Sequence, residues 1–407
     1  MNNPRRMAGK LAVKDVAFFQ EGPGLRTHQW TTEGMKVINV TNILGDGSVD
    51  VSNTDKFISQ DEFETRYSHF AIEENDIVVA SSGNTYGKVG RIRSEHLPLM
   101  MNTSVIRLHS SDRAVLDDDF LYAWLRSPEF INQVEGFVTG GAQPNFGPTH
   151  LKQMSITLPE IRLQMQIAHI LSTYDDLIEN NRQRMALLEE AARQLYREWF
   201  VRLRFPGHEH TRITNGVPEG WERRTLGDLC EEIRESVSPE LVDPATPYIG
   251  LEHMPRRSIS LSDWGLAKEV TSNKHRFHEG EILFGKIRPY FHKVGITFVD
   301  GVASSDAIVI RPNESKLSGL VLMTVSSDAF VAVTAQTMRE GSKMPRADWK
   351  QMQGYSVPLP PDGLLNSFGS VIRVTVEQLK TLCVASRKLR AARDLLLPRL
   401  MSGEIAV

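Results

Sequence analysis

The sequence predicts an α+β chain: two similar mixed α/β domains, each followed by one long helix, with the two helices packed on each other. Three observations carry this. From Ile167, apolar side chains return every three or four residues as Leu171, Tyr174, Ile178, Met185, Leu188, Ala192, Leu195 and Trp199, with Asn181 in register among them. That spacing puts one stripe on one side of a helix, and 33 residues at 1.5 Å rise make it about 50 Å long. The pattern recurs near the other end as Phe368, Ile372, Val376, Leu379, Cys383, Ser386, Leu389, Ala392 and Leu396, closed by Pro398. Finally, about 160 residues of other material precede each helix, and the two stretches repeat one another.

In chain order, residues 1–159 read as short strands and turns. Lys36 to Val40 is a strand candidate followed by the turn material Gly45-Asp46-Gly47. Asp76 to Ala80 and Ser104 to Leu108 are two more, and Asp119 to Arg126 is a short helix stopped before Pro128. Gly140 to Gly147 is a loop that starts no regular element. Residues 160–204 hold the first long helix, whose Asp175, Asp176, Glu179, Arg182, Arg184, Glu189, Glu190, Arg193 and Arg197 form a face expected to be wet. Residues 205–362 repeat the first domain, entered through the Pro- and Gly-bearing linker from Phe205 to Gly220. Glu74-Asn75-Asp76-Ile77-Val78 matches Glu279-Gly280-Glu281-Ile282-Leu283, Val105-Ile106-Arg107 matches Val309-Ile310-Arg311, and Lys152-Gln153-Met154 matches Lys350-Gln351-Met352. Leu158-Pro159 then matches Leu359-Pro360, directly before each long helix. Residues 363–407 are the second helix and the tail. Each helix could instead be the core helix of its own domain, but their length exceeds the usual 11–12 residues and favours a coiled-coil pair.

A length of 407 residues suits two or more domains, and 41% hydrophobic with 24% charged content is that of a globular chain with ample core. No basic segment leads into an apolar run at the N-terminus and no apolar stretch reaches membrane length, so the protein is expected in the cytoplasm. Cys230 and Cys383 lie far apart without a metal-binding spacing, which speaks against a disulfide framework or a zinc site. The net charge of −3 is no basic signature, so a nucleic-acid binder of this kind must concentrate its Lys and Arg locally or rely on partners.

Glu160 to Arg204 is also where a family resemblance appears. Leu158-Pro159, then Gln164-Met165-Gln166-Ile167-Ala168 and Leu171-Ser172-Thr173-Tyr174-Asp175-Asp176-Leu177-Ile178-Glu179-Asn180-Asn181-Arg182, resemble the central conserved region of type I restriction-modification specificity subunits. Leu195-Tyr196-Arg197-Glu198-Trp199-Phe200, Pro218-Glu219-Gly220-Trp221 and the tail from Arg393 to Ile405 fit the same family. The resemblance runs in order along essentially the whole chain; one departure is Trp349 where the first domain has Leu151. It implies two target recognition domains, each reading half of a split double-stranded DNA sequence, and an antiparallel helix pair as spacer. It further implies that two modification subunits dock here, that those partners rather than this chain hold S-adenosylmethionine and methylate adenine, and that restriction subunits join them. No cofactor and no metal is expected on this chain.

Four loops are candidates for DNA contact. Gly83-Asn84-Thr85-Tyr86-Gly87-Lys88-Val89 lacks the spacing and the Ser/Thr of a phosphate-binding nucleotide loop. It is either a plain strand-to-strand turn or a turn that offers Asn84, Tyr86, Lys88 and Arg91 to DNA. The corresponding stretch of the second half interleaves Lys286, Arg288, His292 and Lys293 with Tyr290 and Phe291, which suits backbone contact; the bland alternative is a solvated strand with both aromatics in the core. Gln143 and Asn145 can pair with adenine edges, while Arg339, Lys343 and Arg346 can reach guanine or phosphate. Lys152 and Lys350 follow those loops. Polar connecting loops remain the alternative for each residue. Asn181 is best read as a register-fixing residue of the helix seam. Nothing resembles a methyltransferase Asn-Pro-Pro-Tyr, a GxGxxG or an HExxH, which favours recognition over catalysis. A duplicated protein-binding scaffold with two heads is the rival reading, and a hydrolase with carboxylates in one head is a third.

Overall fold

The computed structural model describes residues 7–51, 54–83, 86–138, 146–336 and 345–407. The chain divides into two compact units, the first formed by residues up to Ile178 with Lys388–Val407 and the second by Glu179–Arg387. Each long helix contributes to both.

The central helix runs Ile161–Tyr196 and ends in a π-helical turn over Arg197–Val201, while the C-terminal helix runs Asp362–Met401. In the first unit the early turns of the central helix share a core with the last turns of the C-terminal one: Ile167 and Leu171 pack in one cluster with Leu397 and Leu400. In the second unit the order reverses, with Tyr196, Trp199 and Phe200 placing their rings 6.4, 5.8 and 4.8 Å from Phe368. The helices are therefore antiparallel. Of the stripe residues, Ile167, Leu171, Ile178, Ala192, Phe368, Ile372, Leu379, Cys383 and Ser386 are buried. Tyr174, Asn181, Met185, Leu188, Leu195, Trp199, Val376, Leu389, Ala392 and Leu396 are half-buried.

Two expectations need correction. Pro398 does not close the C-terminal helix, which continues through it to Met401. Proline forfeits one ladder bond, but burial of Leu397 and Leu400 in the core of the first unit holds the turns on either side. Nor is the charged face of the central helix wet throughout, since Glu179 and Glu189 are buried and Asp175 is largely enclosed. Periodicity sees one apolar stripe; it does not see that a domain covers a second side of the helix.

The first unit begins with Met7–Ala12 paired antiparallel to Ser155–Pro159. Its main sheet runs Ala17–Glu21, Val105–Ser110, Ile77–Ala80, Val89–Arg91, all antiparallel. A second sheet runs Phe57–Ile58, Met35–Ile38, Leu99–Met101, Ala71–Ile72, and its central pair is parallel, with Val37 opposite Met100. Helices Asp118–Leu125 and Pro128–Val138 cover the main sheet; proline opens the second, where its missing N–H costs nothing.

The second unit repeats this plan strand for strand. Glu222–Thr225 pairs with Ser356–Leu359, and the main sheet runs Cys230–Ile233, Ala307–Pro312, Ile282–Gly285, Val294–Thr297. Tyr248 opposite Val302 is again the parallel pair of the other sheet. Two short edge strands, Ser236–Val237 and Ser260–Leu261, are additions.

The repeat extends to side chains. Asp76 accepts from the Glu73 amide at 2.8 Å and lies 3.6 Å from Arg107, just as Glu281 accepts from the His278 amide at 2.8 Å and pairs with Arg311. Asn75 and Gly280 both take the left-handed turn before the strand, at φ 71° and 85°. Ser127 and Ser327 each donate from Oγ to a carbonyl three residues back, that of Trp124 or Thr324, at 2.7 Å. The phenylalanine that follows, Phe130 or Phe330, is fully buried. Among the described residues no single helix is long and apolar enough to cross a membrane.

Candidate nucleic-acid interface

In each unit a hairpin loop joins two neighbouring strands of the main sheet, and the structure brings a second loop to it. In the first unit the loop lies between Ile77–Ala80 and Val89–Arg91, and the Ser81 carbonyl accepts from the Phe146 amide at 2.8 Å. In the second it lies between Ile282–Gly285 and Val294–Thr297, and the contact is fuller. The Arg288 amide donates to Pro345 at 2.9 Å, the Ala347 amide donates to Lys286 at 2.8 Å, and Ile287 bridges Arg346. Thus the chain leaving each of the predicted base-reading loops is tied to the predicted hairpin of the same unit. Asn84, Gln143, Asn145, Arg339 and Lys343 themselves lie outside the described residues.

A third loop, not singled out in the sequence, adjoins both. Ser104 accepts from the Ser81 amide at 2.9 Å, and Asp306 accepts from the Lys286 amide at 2.7 Å. The signal that could have found it is positional: Asn102-Thr103-Ser104 and Ser304-Ser305-Asp306 each precede the matched Val-Ile-Arg strand.

The hairpin of the second unit is not a strand face. Pro289–Phe291 is a 3-10 turn flanked by Arg288 and His292, both non-glycine residues at positive φ, 50° and 53°. Such backbone is strained and persists only where the surroundings fix it. Tyr290 is 52% exposed and Phe291 half-buried, so neither aromatic is a core residue. The Phe291 ring carries the Arg256 guanidinium at 4.0 Å and that of Arg288 at 5.8 Å. Arg256 comes from a segment the sequence did not mark. Arg346 is exposed beside Asp306 at 3.4 Å, and Lys152 and Lys350 are exposed.

Other predicted contacts are turned inward. Arg91 pairs with Asp119 and stacks on Tyr122 at 4.5 Å, which places its guanidinium inside the fold rather than toward phosphate. Lys88 and Tyr86 are half-buried beside it, lining a cavity of about 500 Å³ with Arg126 and Arg393. His292 is buried, with Nε2 donating to the Ser326 carbonyl at 2.8 Å and Nδ1 at 3.5 Å from Asp328. Burial pushes its pKa below the usual imidazole value, against the pull of Ser326. Lys293 donates to the Leu251 carbonyl at 2.6 Å and Lys286 to that of Ser305 at 3.1 Å, and burial lowers both pKa values. These side chains shape the hairpin; Arg256, Arg288, Tyr290 and Arg346 are what it presents.

Residues 10–190 match the family described as the type I restriction modification DNA specificity domain. The MjaIX type I restriction enzyme specificity subunit of Methanocaldococcus jannaschii is 21% identical over 337 residues, which span 78% of this chain and 76% of that one. The EcoDI specificity subunit of Escherichia coli is 23% identical over 63% of this chain and 62% of its own length. Among solved structures, the type I restriction-modification S subunit from M. genitalium shares the fold at a TM-score of 0.54 and 17% identity, covering 97% of this chain and 96% of that one. The family match over residues 10–190, the curated relatives and the shared fold all make this chain similar to the specificity subunits of type I restriction-modification systems.

Proposed function

We propose that this chain is the non-catalytic reader of a bipartite double-stranded DNA site, one unit per half-site. It docks two modification subunits, which bind S-adenosylmethionine and methylate adenine, and restriction subunits complete the nuclease. One observation carries the reading: in both units the hairpin loop, the segment after the second loop and the third loop are joined by main-chain hydrogen bonds into one surface. A duplicated fold with the same cluster at the same place in each copy suits a partner with two separated sites. At a net charge of −3 the binding charge must be local, as it is at Arg256, Arg288 and Arg346. Main-chain ties hold the loops at one height, so that side chains from several segments can meet one stretch of groove.

A gel shift on random and genomic duplexes, with and without the modification subunit, tests this. Retention of duplex that weakens steeply with salt and is competed by a two-part sequence is expected. Binding of protein partners with no duplex retained at low salt would instead establish the scaffold reading. Calorimetric binding of S-adenosylmethionine to this chain alone would overturn the division of labour.

A further inference from the structure

Arg193 and Arg393 occupy the same place in a short repeat, Ala191-Ala192-Arg193 on the central helix and Ala391-Ala392-Arg393 on the C-terminal helix. Their contacts match. In the second unit Arg193 donates to the main-chain carbonyl of Arg257, and it is held by Glu189 at 2.9 Å. In the first, Arg393 donates to the main-chain carbonyl of Asp46 at 3.3 Å, and it is held by Asp175 and by Asp394 at 2.9 Å.

The segments they grip correspond as well. Each crosses the second strand of the reading hairpin at a glycine: a Cβ on Gly295 would lie 2.7 Å from the Ile259 carbonyl oxygen, and one on Gly90 would lie 2.5 Å from Val49 and 3.3 Å from the Ser48 carbonyl oxygen. Each is bonded to that hairpin by its main chain. The Arg257 amide donates to the His292 carbonyl at 2.9 Å, and the Gly47 carbonyl, one residue past Asp46, accepts from the Arg91 amide at 3.3 Å. Helix arginine, crossing segment and hairpin therefore form one chain of polar contacts, built twice.

Carboxylates complete each grip. Glu189, 4% exposed, accepts from Ser258 Oγ at 2.7 Å, Ser260 Oγ at 2.6 Å and the Ser260 amide at 3.2 Å. Asp175 accepts from Arg126 at 2.8 Å, whose guanidinium lies 4.8 Å over Tyr122; the Tyr122 hydroxyl in turn donates to the Gly47 carbonyl at 2.9 Å. Gly47, at φ 98°, has no room for a Cβ, which would fall 2.4 Å from that hydroxyl.

We propose that Arg193 and Arg393 are paired positioning residues, each fixing the reading hairpin of its own unit on the helix pair and so setting the stringency of one half-site. The proposal rests on the DNA-reading function above. Neither residue need touch DNA. Each holds the segment that holds the hairpin, and its charge is satisfied within the protein.

The test uses Arg193→Lys and Arg393→Lys in the full chain, which keep the charge but lose the forked geometry. Amide hydrogen exchange of the chain without DNA is measured first. Arg193→Lys should speed exchange at Arg257 by about tenfold and leave Arg91 unchanged, and Arg393→Lys should do the reverse, the loss of one charge-assisted contact being of that size. Sequencing of the sites methylated by the assembled complex follows. Each variant should relax one half-site, a different one for each, while the other half keeps its wild-type sequence. Unaltered exchange at both amides overturns the positioning role whatever the DNA result. Equal weakening of both half-sites by either variant overturns it too, since that is what a general loss of stability produces. A wild-type complex that methylates no two-part sequence refutes the DNA reading instead, and the exchange result still decides whether the arginines hold the hairpins. If a lysine variant does not assemble, Glu189→Gln and Asp175→Asn replace the two, with the same outcomes assigned to each unit.

Discussion

The two units share a scaffold and differ at its tip, and the contrast separates residues that build from residues that read. Asp76 with Arg107 and Glu281 with Arg311 anchor the same strand in the same way, and Phe130 and Phe330 fill the same core position. The hairpins then part company. The loop of the first unit passes through Gly83 and Gly87 at positive φ and buries its arginine against Asp119 and Tyr122. That of the second is held at two strained non-glycine residues, bridged to Arg346, and exposes Arg288 and Tyr290. What duplication preserves is the frame; what differs between copies is where the proposed function puts sequence-specific contact.

The largest effect that tests the comparison is in the frame. Phe368 and Ile167 stand at matching places after Leu359-Pro360 and Leu158-Pro159, one ringed by three aromatics and the other in the mixed hydrophobic core of the first unit. Phe368→Ala should cost about 3–5 kcal/mol and Ile167→Ala about 2–5 kcal/mol in urea unfolding. Leu188→Ala and Trp199→Ala, at half-buried positions, should cost less than Phe368→Ala. Equal costs across all four would show that the helix seam alone, and not the added domain core, sets the stability.

A smaller effect separates the reading surface from its supports. Arg288→Ala and Arg346→Ala should each flatten the salt dependence of duplex binding by about 0.9 in log–log slope if each meets one phosphate. Lys286→Ala should change it less, because its ammonium is tied to the Ser305 carbonyl and lies 4.0 Å from Glu232. A slope moved by Lys286 and unmoved by Arg288 and Arg346 would reverse the assignment.

The smallest effect is one of pH. Burial makes His292 take up a proton less readily in the folded hairpin than an unfolded histidine, which does so near pH 6.5. Unfolding therefore binds a proton, and stability should fall as pH drops below about 6.5. His275, lowered first by burial and then by Lys286, adds to the same slope. His292→Gln should make the melting temperature less sensitive to pH between about 5 and 6.5, and an unchanged slope would place the titration elsewhere.

Much of the frame was legible in the sequence because repetition and periodicity are properties of residue order. The central helix begins at Ile161, one residue into the stretch marked for it, and the strand matches at Ile77 and Ile282 fall on paired strands. The candidate interface was legible only in outline. Arg91, His292 and Lys293 look like surface cations in a row of letters; Asp119, the Ser326 carbonyl and the Leu251 carbonyl, which hold them inside, are distant in the chain. Arg256 was missed for the converse reason, since its aromatic partner Phe291 is 35 residues away. Glu189 looks solvated in the sequence because a carboxylate on a helix usually is, and only the fold brings Ser258 and Ser260 to it.

The central claim, that each unit reads one half of a split DNA sequence, is tested most directly by sequencing methylated sites in cells that carry the modification subunit, with this chain and with its Arg288→Ala/Arg346→Ala variant. The wild-type chain should direct methylation to a single sequence of two short halves around a spacer of fixed length, and the double variant should methylate the same sequence less completely. Methylation of a short uninterrupted sequence, or a pattern that is the same with and without this chain, would contradict the account.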